Sequence, residues 1–221
     1  MPVRAIATEC VATGYGHNDR ELCRVVIMDK KGCTLIDTLV KPEKEIVSYL
    51  TPLTGIKPGD LDNAEPWSVA REKIYSVLSP NTTLLGHTLN NSIKLLQLMP
   101  RVHFIRILDT SEFFCTWNKR SKRVEYFSLA HMANVLFGEN MVGVHNPMEG
   151  CKACVQIYAK FKDYDEQEIR PVQRKLAKAP RTPSKVKSFG FSIDGVCLAG
   201  YSPQYCKCGQ ETLKARYYNK I

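Results

Sequence analysis

Short apolar runs at the start of the chain alternate with turn-forming residues and predict three β-strands. The runs are Arg4–Cys10, Cys23–Met28 and Cys33–Val40, and the last of them alternates apolar and polar residues. Gly, Asn and Asp separate the first two runs, and a Lys-Lys-Gly turn separates the last two. Because these residues favour turns and the gaps are short, we expect the strands to pair as an antiparallel meander.

After this meander, the apolar spacing alternates between that of helices and that of strands. Helical spacing is found in four segments, which are Pro66–Leu78, Ser92–Leu98, Phe127–Phe137 and a segment from Asn146 to about Phe161. Two short apolar strands, Thr82–Leu85 and Phe104–Leu108, lie between them. Since strands that alternate with helices pair in parallel, the pattern predicts a mixed α/β sheet with an antiparallel edge.

The composition is typical of a globular protein, with 221 residues, 44% hydrophobic and 24% charged. The chain contains no apolar run near the roughly 20 residues that cross a bilayer, so no membrane association is expected. Glu9 occurs too early for a secretory signal. Nine scattered cysteines without such a signal indicate a reducing, intracellular compartment.

The net charge of +9 is concentrated near the C-terminus. Seven basic residues and no acidic ones lie in one stretch, namely Arg170, Arg174, Lys175, Lys178, Arg181, Lys185 and Lys187. Three prolines interrupt the same stretch. This density of charge and proline predicts a body over residues 1–162 and a basic, partly irregular tail over residues 163–221.

A second basic cluster precedes the Phe127 helix, and it consists of Lys119, Arg120, Lys122 and Arg123. Both basic segments are candidates for nucleic-acid binding, because Lys and Arg neutralise backbone phosphates and release counterions. The alternatives are a solvated loop for this cluster and a nuclear-import signal for the tail.

Several motifs resemble the DEDDh 3′→5′ exonucleases, and within that family the RNA exonuclease 4-like branch. Ala5-Ile6-Ala7-Thr8-Glu9-Cys10-Val11 aligns with the branch's A-L-D-C-E-M-V, and Leu85–Ser92 aligns with V-G-H-A-L-H-N-D. The other matches, in order along the chain, are Cys23–Ile27, Asp37–Pro42 with Thr54–Ile56, Leu108–Thr110, Ser128–Ala130 and His145–Tyr158. The resemblance covers residues 4–160. It implies an RNase H-like fold, with a mixed five-stranded sheet flanked by helices.

The family's reaction uses two divalent cations, Mg²⁺ or Mn²⁺, held by three aspartates and one glutamate, with a histidine as general base. Carried over by motif, the glutamate is Glu9 and the histidine is His145. The three aspartate positions hold Ala7, Ser92 and Gly150. The resemblance therefore implies a degenerate site, for which no cofactor is expected, or Mg²⁺ or Mn²⁺ if the chain is active.

Two nearby carboxylates are candidates to replace the missing ones. Glu149 precedes Gly150 on a predicted helix, where one residue is a rotation of about 100°, so its side chain is expected to point elsewhere. Asp109 belongs to an Asp-Thr motif outside the family's catalytic set. Glu9 and His145 are interpreted as relics, with Glu9 hydrogen-bonded to a partner for which His145 is one candidate.

Cysteines near the histidine and the C-terminus suggest zinc as a different metal. His145, Cys151 and Cys154 form H-x5-C-x2-C, and Cys206 and Cys208 form C-x-C. Zinc takes such ligands in a tetrahedron. The alternative for Cys151 and Cys154 is a buried thiol pair, because the two residues lie one turn apart on a helix that packs against the sheet.

Three functional hypotheses follow. The first is a degenerate exonuclease-like domain, no longer an enzyme, that binds RNA or another single-stranded nucleic acid as a binding or scaffolding module. The alternatives are an active 3′→5′ RNA exonuclease with an altered metal site, and a protein–protein adaptor with a structural zinc. The resemblance also implies a nuclear or nucleolar location.

Overall fold

A computed structural model of the chain describes residues 1–118, 122–139, 141, 146–200, 202–206 and 208. The strands are β1 (Val3–Ala12), β2 (Arg20–Asp29), β3 (Thr34–Lys41), β4 (Glu65–Pro66), β5 (Thr83–Gly86), β6 (Arg106–Asp109), β7 (Thr116–Asn118), β8 (Arg123–Glu125), β9 (Ser192–Ile193) and β10 (Val196–Cys197). The α-helices are α1 (Thr51–Thr54), α2 (Trp67–Ser76), α3 (Asn90–Leu95), α4 (Thr110–Phe113), α5 (Leu129–Phe137), α6 (Pro147–Phe161), α7 (Glu166–Lys178) and α8 (Lys185–Ser188). Pro203–Tyr205 forms a 3-10 turn.

The central sheet has the strand order β4-β3-β2-β1-β5-β6. The first three strands pair antiparallel, and β1, β5 and β6 pair in parallel. This confirms the predicted mixed α/β fold, with a meander at one side. The sheet has six strands where five were expected, because the two-residue β4 pairs in parallel with the end of β3.

Successive residues of the central strands face opposite layers of helices, as the period of two in a strand requires. Ile6 and Ile27 pack beneath α2 and α3, in a core that includes Ile74 and Leu96. Their neighbours Ala5 and Met28, with Val26 and Leu85, face α6 and pack against Cys151, Cys154 and Val155. The sheet is thus covered on both faces, and its strands are correspondingly apolar.

Within the region predicted as a basic, partly irregular tail, Glu166–Lys178 forms helix α7. Asp165 and Glu168 form a reciprocal capping box at its start. Ile169, Val172 and Leu176 are spaced as one helical face and pack against a cluster that contains Phe114 and Phe161. The basic residues lie on the opposite, exposed face, and the helix accommodates Pro171 in its interior. An apolar stripe therefore outweighs the charge and the proline.

Residues after α8 also pack on the body. Ile193 and Val196 join Ala12 and Leu50 in a small apolar cluster, and the Ser48 hydroxyl donates a hydrogen bond to Asp194 at 2.6 Å. Within the described ranges, no helix has the length and apolar character needed to span a membrane.

Candidate functional site

A cleft of about 720 Å³ lies at the end of β1, between α3 and α6. The motif positions meet there, since Ala7, Glu9, Ser92 and Gly150 all line it. Ala7 and Glu9 extend from β1, Ser92 from α3 and Gly150 from α6. The chain thus places these four positions around one space, although three of the four residues differ from the set that the resemblance implies.

The positions that would hold aspartates carry small or neutral groups that contact their neighbours. A Cβ added at Gly150 would lie 3.8 Å from the Ala7 Cβ, which is ordinary van der Waals distance. The Ser92 hydroxyl forms a hydrogen bond of 2.9 Å with the hydroxyl of Thr8. Hydroxyls and methyls of this kind supply none of the anionic oxygens that a pair of hard dications requires.

The two candidate replacement carboxylates do not line the cleft. Glu149 is exposed on α6, one residue from the buried Gly150, as the helical rotation predicts. Asp109 faces the neighbouring loop. Of the described residues that line the cleft, Glu9 is the one carboxylate, and it is half-buried. The donor set therefore does not fit the family's two divalent cations.

The part of the cleft wall formed by His87 and Thr88 depends on Asp109, at the end of β6. Its carboxylate accepts hydrogen bonds from the backbone N–H groups of Thr88 at 2.9 Å, Leu89 at 2.8 Å and Ser111 at 3.0 Å. The Ser111 hydroxyl donates another at 2.7 Å. Burial raises the pKa of Asp109, but these hydrogen bonds favour the carboxylate and leave the pKa below its ordinary value.

Thr110 and Gly86 do not line the cleft themselves but support this part of its wall. The Thr110 hydroxyl donates to the Gly86 carbonyl at 3.0 Å and lies 3.1 Å from Nδ1 of His87, which lines the cleft. Burial lowers the pKa of His87, and the charge of Asp109 opposes that shift only in part. A Cβ at Gly86 would lie 2.5 Å from Leu89 Cδ2, so a larger residue there would require the Leu89 side chain to move. The Asp-Thr motif therefore shapes the cleft wall.

Among the described residues that line the cleft are two cations, and neither was among the residues predicted to bind nucleic acid. Lys94 is exposed on α3. Arg20 is half-buried and donates hydrogen bonds to the carbonyls of Gly16 at 2.9 Å and Cys197 at 2.7 Å. Burial lowers the pKa of Arg20, although an arginine remains protonated at neutral pH. Isolated cations of this kind leave no local signal in the sequence.

The predicted basic segments lie mostly outside this cleft. Arg170 and Arg174 on α7 line a second, shallow groove of about 320 Å³, with the exposed Trp117 of β7. Arg181 packs over the Phe127 ring at 4.6 Å from the centroid and pairs with Glu125 at 3.6 Å. The remaining described cations are solvent-exposed or half-buried, namely Lys122, Lys175, Lys178, Lys185 and Lys187. Lys119 and Arg120 lie outside the described residues, and Arg123 is described only as part of β8.

The four predicted zinc candidates separate into two places. Cys151 and Cys154 are buried against the sheet, where the Cys151 thiol donates to the carbonyls of Ala5 and Val26 at 3.5 Å. Burial raises the pKa of both thiols, to about 12 for Cys154, and so disfavours the thiolate that a metal needs. Cys151 and Cys154 are thus buried thiols in the core between α6 and the sheet. His145 lies outside the described residues.

Cys206 and Cys208 instead lie beside His17 of the β1–β2 loop and Cys197 of β10. His17 and Cys197 were not predicted as partners, because about 180 residues separate them and no short motif connects them. None of the nine cysteines, all within the described residues, forms a disulfide.

Comparison with known proteins agrees with the mixed α/β fold. The family model RNase_T, described as an exonuclease, matches residues 8–158. RNA exonuclease 4 of Xenopus laevis is 29% identical over 188 residues, which cover 80% of this chain and 43% of that protein. Interferon-stimulated 20 kDa exonuclease-like 2 of Mus musculus is 30% identical over 176 residues, which cover 76% of this chain and 47% of that protein. The chain thus spans less than half the length of each of these relatives.

Solved structures with the same fold include modules of the protein Pan2. The Saccharomyces cerevisiae pseudoubiquitin hydrolase–RNA exonuclease module in complex with AAGGA RNA has a TM-score of 0.67 and 23% identity, over 87% of this chain and 33% of that one. The Neurospora crassa Pan2 catalytic unit has a TM-score of 0.64 and 24% identity, over 81% of this chain and 30% of that one. At these identities the likeness establishes the fold.

Proposed function

Since the chain belongs to the RNase_T exonuclease family, we propose that it binds single-stranded RNA in the cleft beside Glu9 without hydrolysing it by the family's two-metal reaction. One observation carries the proposal. The positions that should hold three aspartates converge on this cleft as Ala7, Ser92 and Gly150, and they leave Glu9 as the one carboxylate among its described lining residues.

RNA is the ligand class that the relatives support. The curated relatives are named as RNA exonucleases and as small RNA degrading nucleases, and the yeast Pan2 module has been solved in complex with RNA. Loss of metal-binding carboxylates removes negative charge that would otherwise repel phosphates.

The chemistry of the cleft suits a polyanionic strand. Lys94 and Arg20 supply positive charge, and the side chains of Thr8, Asn91 and Ser92 supply hydrogen-bonding groups for sugar or base. The volume of about 720 Å³ falls within the roughly 300–1,000 Å³ of common ligand clefts.

The test uses fluorescence anisotropy with labelled single-stranded RNA and the full chain. We expect saturable binding that weakens several-fold in Lys94→Ala. In that variant the slope of log affinity against log salt concentration should fall in magnitude by about 0.7, because one phosphate is no longer neutralised. Lys152→Ala is the matched control, because Lys152 is exposed on α6 and does not line the cleft. Equal affinity of both variants would place the RNA elsewhere.

The same preparations are incubated with the RNA and Mg²⁺ or Mn²⁺, and products are resolved by length. We expect the strand to stay intact. The competing proposal, an active exonuclease with an altered site, requires shortening from the 3′ end that disappears in Glu9→Gln. That result would overturn the binding-only function, and RNA shortening that persists in Glu9→Gln would identify a contaminating nuclease.

A further inference from the structure

Four potential metal ligands meet where the C-terminal segment contacts the β1–β2 loop. Each of His17, Cys197, Cys206 and Cys208 offers one ligand atom, and all four atoms lie within 4.8 Å of one another. Nδ1 of His17 is 3.1 Å from Cys208 Sγ and 3.5 Å from Cys206 Sγ. The sulfurs of Cys197 and Cys206 are 4.0 Å apart.

Two of these separations, 3.5 Å and 4.0 Å, lie within about 0.2 Å of the edges of a zinc tetrahedron, and the third, 3.1 Å, is about 0.5 Å shorter. With Zn–S near 2.3 Å and Zn–N near 2.05 Å, a regular site has S···S edges of about 3.8 Å and S···N edges of about 3.6 Å. A disulfide requires sulfurs about 2.05 Å apart, and the Cys197–Cys206 separation is nearly twice that. The cluster is therefore spaced for a shared metal ion.

The backbone holds the four ligands in place through its own hydrogen bonds. The Cys197 N–H donates to the Tyr15 carbonyl at 2.8 Å, and Arg20 donates to the Cys197 carbonyl. The 3-10 turn Pro203–Tyr205 ends at Cys206, whose N–H donates to Pro203. Hydrogen bonds that do not involve the ligand atoms thus hold the segment around Cys197 against the β1–β2 loop.

Further contacts orient the histidine itself. Its backbone N–H donates to the Cys208 sulfur at 3.3 Å, a bond of the kind that stabilises a metal-bound thiolate. Gly200 packs against the ring, because a Cβ there would lie 3.5 Å from His17 Cδ2. The loop is fixed in turn by Asp19, which accepts from the Gly16 N–H at 2.8 Å.

The C-terminal segment has little apolar packing of its own to hold it on the body. Strands β9 and β10 have two residues each, and their cluster with Ala12 and Leu50 is small. Small units of this kind commonly depend on a metal or a disulfide in place of a larger core. The ligand cluster lies where such a link would be effective.

We propose that His17, Cys197, Cys206 and Cys208 bind one zinc ion as a structural Cys₃His site. Binding releases the three thiol protons to solvent, leaves His17 neutral with Nδ1 as the ligand, and changes no oxidation state. Four protein ligands close the coordination shell, so the ion has no open position for water or substrate.

The zinc site would set the shape of the cleft. His17, Leu198 and Gly200 form part of the wall of the cleft that Glu9 and Ser92 also line. The ion would hold that wall in place. The proposal does not depend on RNA binding, since the metal is measured on the protein alone.

The test begins with the full, tag-free chain, purified under reducing conditions and analysed for metal by mass spectrometry. We expect about one zinc per chain, falling below about 0.1 in His17→Ala and in Cys208→Ser. Cys33→Ser is the matched control, because Cys33 is exposed and lies outside the cluster. It should retain the full zinc content.

A second measurement protects the test against variants that fail to fold. Co²⁺ added to the metal-free chain should give thiolate-to-cobalt charge-transfer and tetrahedral d–d bands, and Cys208→His, which keeps a ligand, should retain them with weaker affinity in chelator competition. Three results would overturn the proposal. The first is that the reduced chain binds neither zinc nor cobalt, and the second is that the His17 and Cys208 variants keep the full zinc content. The third is a Cys197–Cys206 disulfide that persists when the chain is purified with reductant.

Discussion

Asp109 shows how a residue can be essential to a cleft without entering it. Its carboxylate accepts four hydrogen bonds that fix residues 88–89 and the start of α4. The sequence motif Asp109-Thr110 therefore belongs to the scaffold, although it occurs among motifs that carry catalytic residues in the family. Family motifs combine chemical and structural positions, and only the structure separates them.

For Asp109→Asn we expect a loss of about 1–3 kcal/mol in the free energy of unfolding at neutral pH, because the amide nitrogen would face an N–H donor. Urea titration monitored by circular dichroism measures it. Asp62→Asn, at an exposed loop position, is the control and should change little. Equal stability of both variants would contradict the role assigned to Asp109.

The pH dependence of the same site has a definite sign. The folded pKa of Asp109 lies below its ordinary value, so its contribution to stability is complete above about pH 4 and is lost as the pH falls through the folded pKa. The difference in the free energy of unfolding between the unaltered chain and Asp109→Asn should therefore become smaller as the pH falls through that window. A deficit that stays constant down to the acid transition would exclude this linkage.

The three substituted positions allow a direct test of degeneracy. The variant Ala7→Asp/Ser92→Asp/Gly150→Asp should gain saturable Mn²⁺ binding by calorimetry, with at least about tenfold higher affinity than the unaltered chain, because it restores three anionic ligands beside Glu9. A Cβ fits at Gly150, with its nearest neighbours at 3.8 and 3.9 Å. The triple Asn variant is the matched control of equal size. No gain over that control would show that these positions do not form a metal site.

Among the elements, those with strong periodicity were predicted well. The strands of the meander and helices α2, α5 and α6 lie within a few residues of their predicted bounds. Short elements such as α1, β4, α4 and the β7–β8 hairpin were missed, because two to four residues carry no measurable period. Strand β4, for example, forms by pairing with the end of β3, about 25 residues earlier in the chain.

Helix α7 was missed for a different reason. Charge and proline dominated the interpretation of residues 163–187, although Ile169, Val172 and Leu176 lie at helical spacing after the Asp165–Glu168 capping box. The two patterns are compatible, since a surface helix can be basic on one face and apolar on the other. The residues that meet at the cleft could be predicted from the family motifs. The cluster around His17 could not, because its members come together only in the three-dimensional fold.

If α7 is part of the folded body, Leu176→Ala should lower the free energy of unfolding by about 2–5 kcal/mol, because Leu176 is fully buried against Phe114 and Phe161. Lys175→Ala, its exposed neighbour, should change it by less than about 0.5 kcal/mol. Urea titration of both variants measures the difference. A Leu176→Ala effect as small as the control would mean that the helix is not part of the cooperative unit.

For the whole molecule, the net charge of +9 is distributed over separate surfaces. The cleft contains two cations among its described lining residues, while α7 displays several on its outer face, next to the exposed Trp117. Aromatic rings beside cations suit a single-stranded nucleic acid, because its bases can stack on the rings while its phosphates pair with the cations. A long RNA would then contact both surfaces.

We expect the affinity of the variant Arg174→Ala/Lys175→Ala/Lys178→Ala for long single-stranded RNA to depend less on salt. The slope of log affinity against log salt concentration should fall in magnitude by about 0.7 for each phosphate that is no longer neutralised. Anisotropy titrations over a range of salt concentrations measure it, with Lys152→Ala as the single-charge control. An unchanged slope would show that α7 does not contact the RNA.

The contact between His17 and Cys208 has a consequence for the order of events during synthesis. The two residues are 191 positions apart, so the histidine leaves the ribosome long before its partner. At about 5–20 residues per second, the loop waits roughly 10–40 s for the last cysteine. The sheet and its covering helices can assemble in that interval. The part of the cleft wall that contains His17 is therefore completed after the sheet, and a ribosome that stalls before Cys208 would leave a folded body with an unfinished cleft.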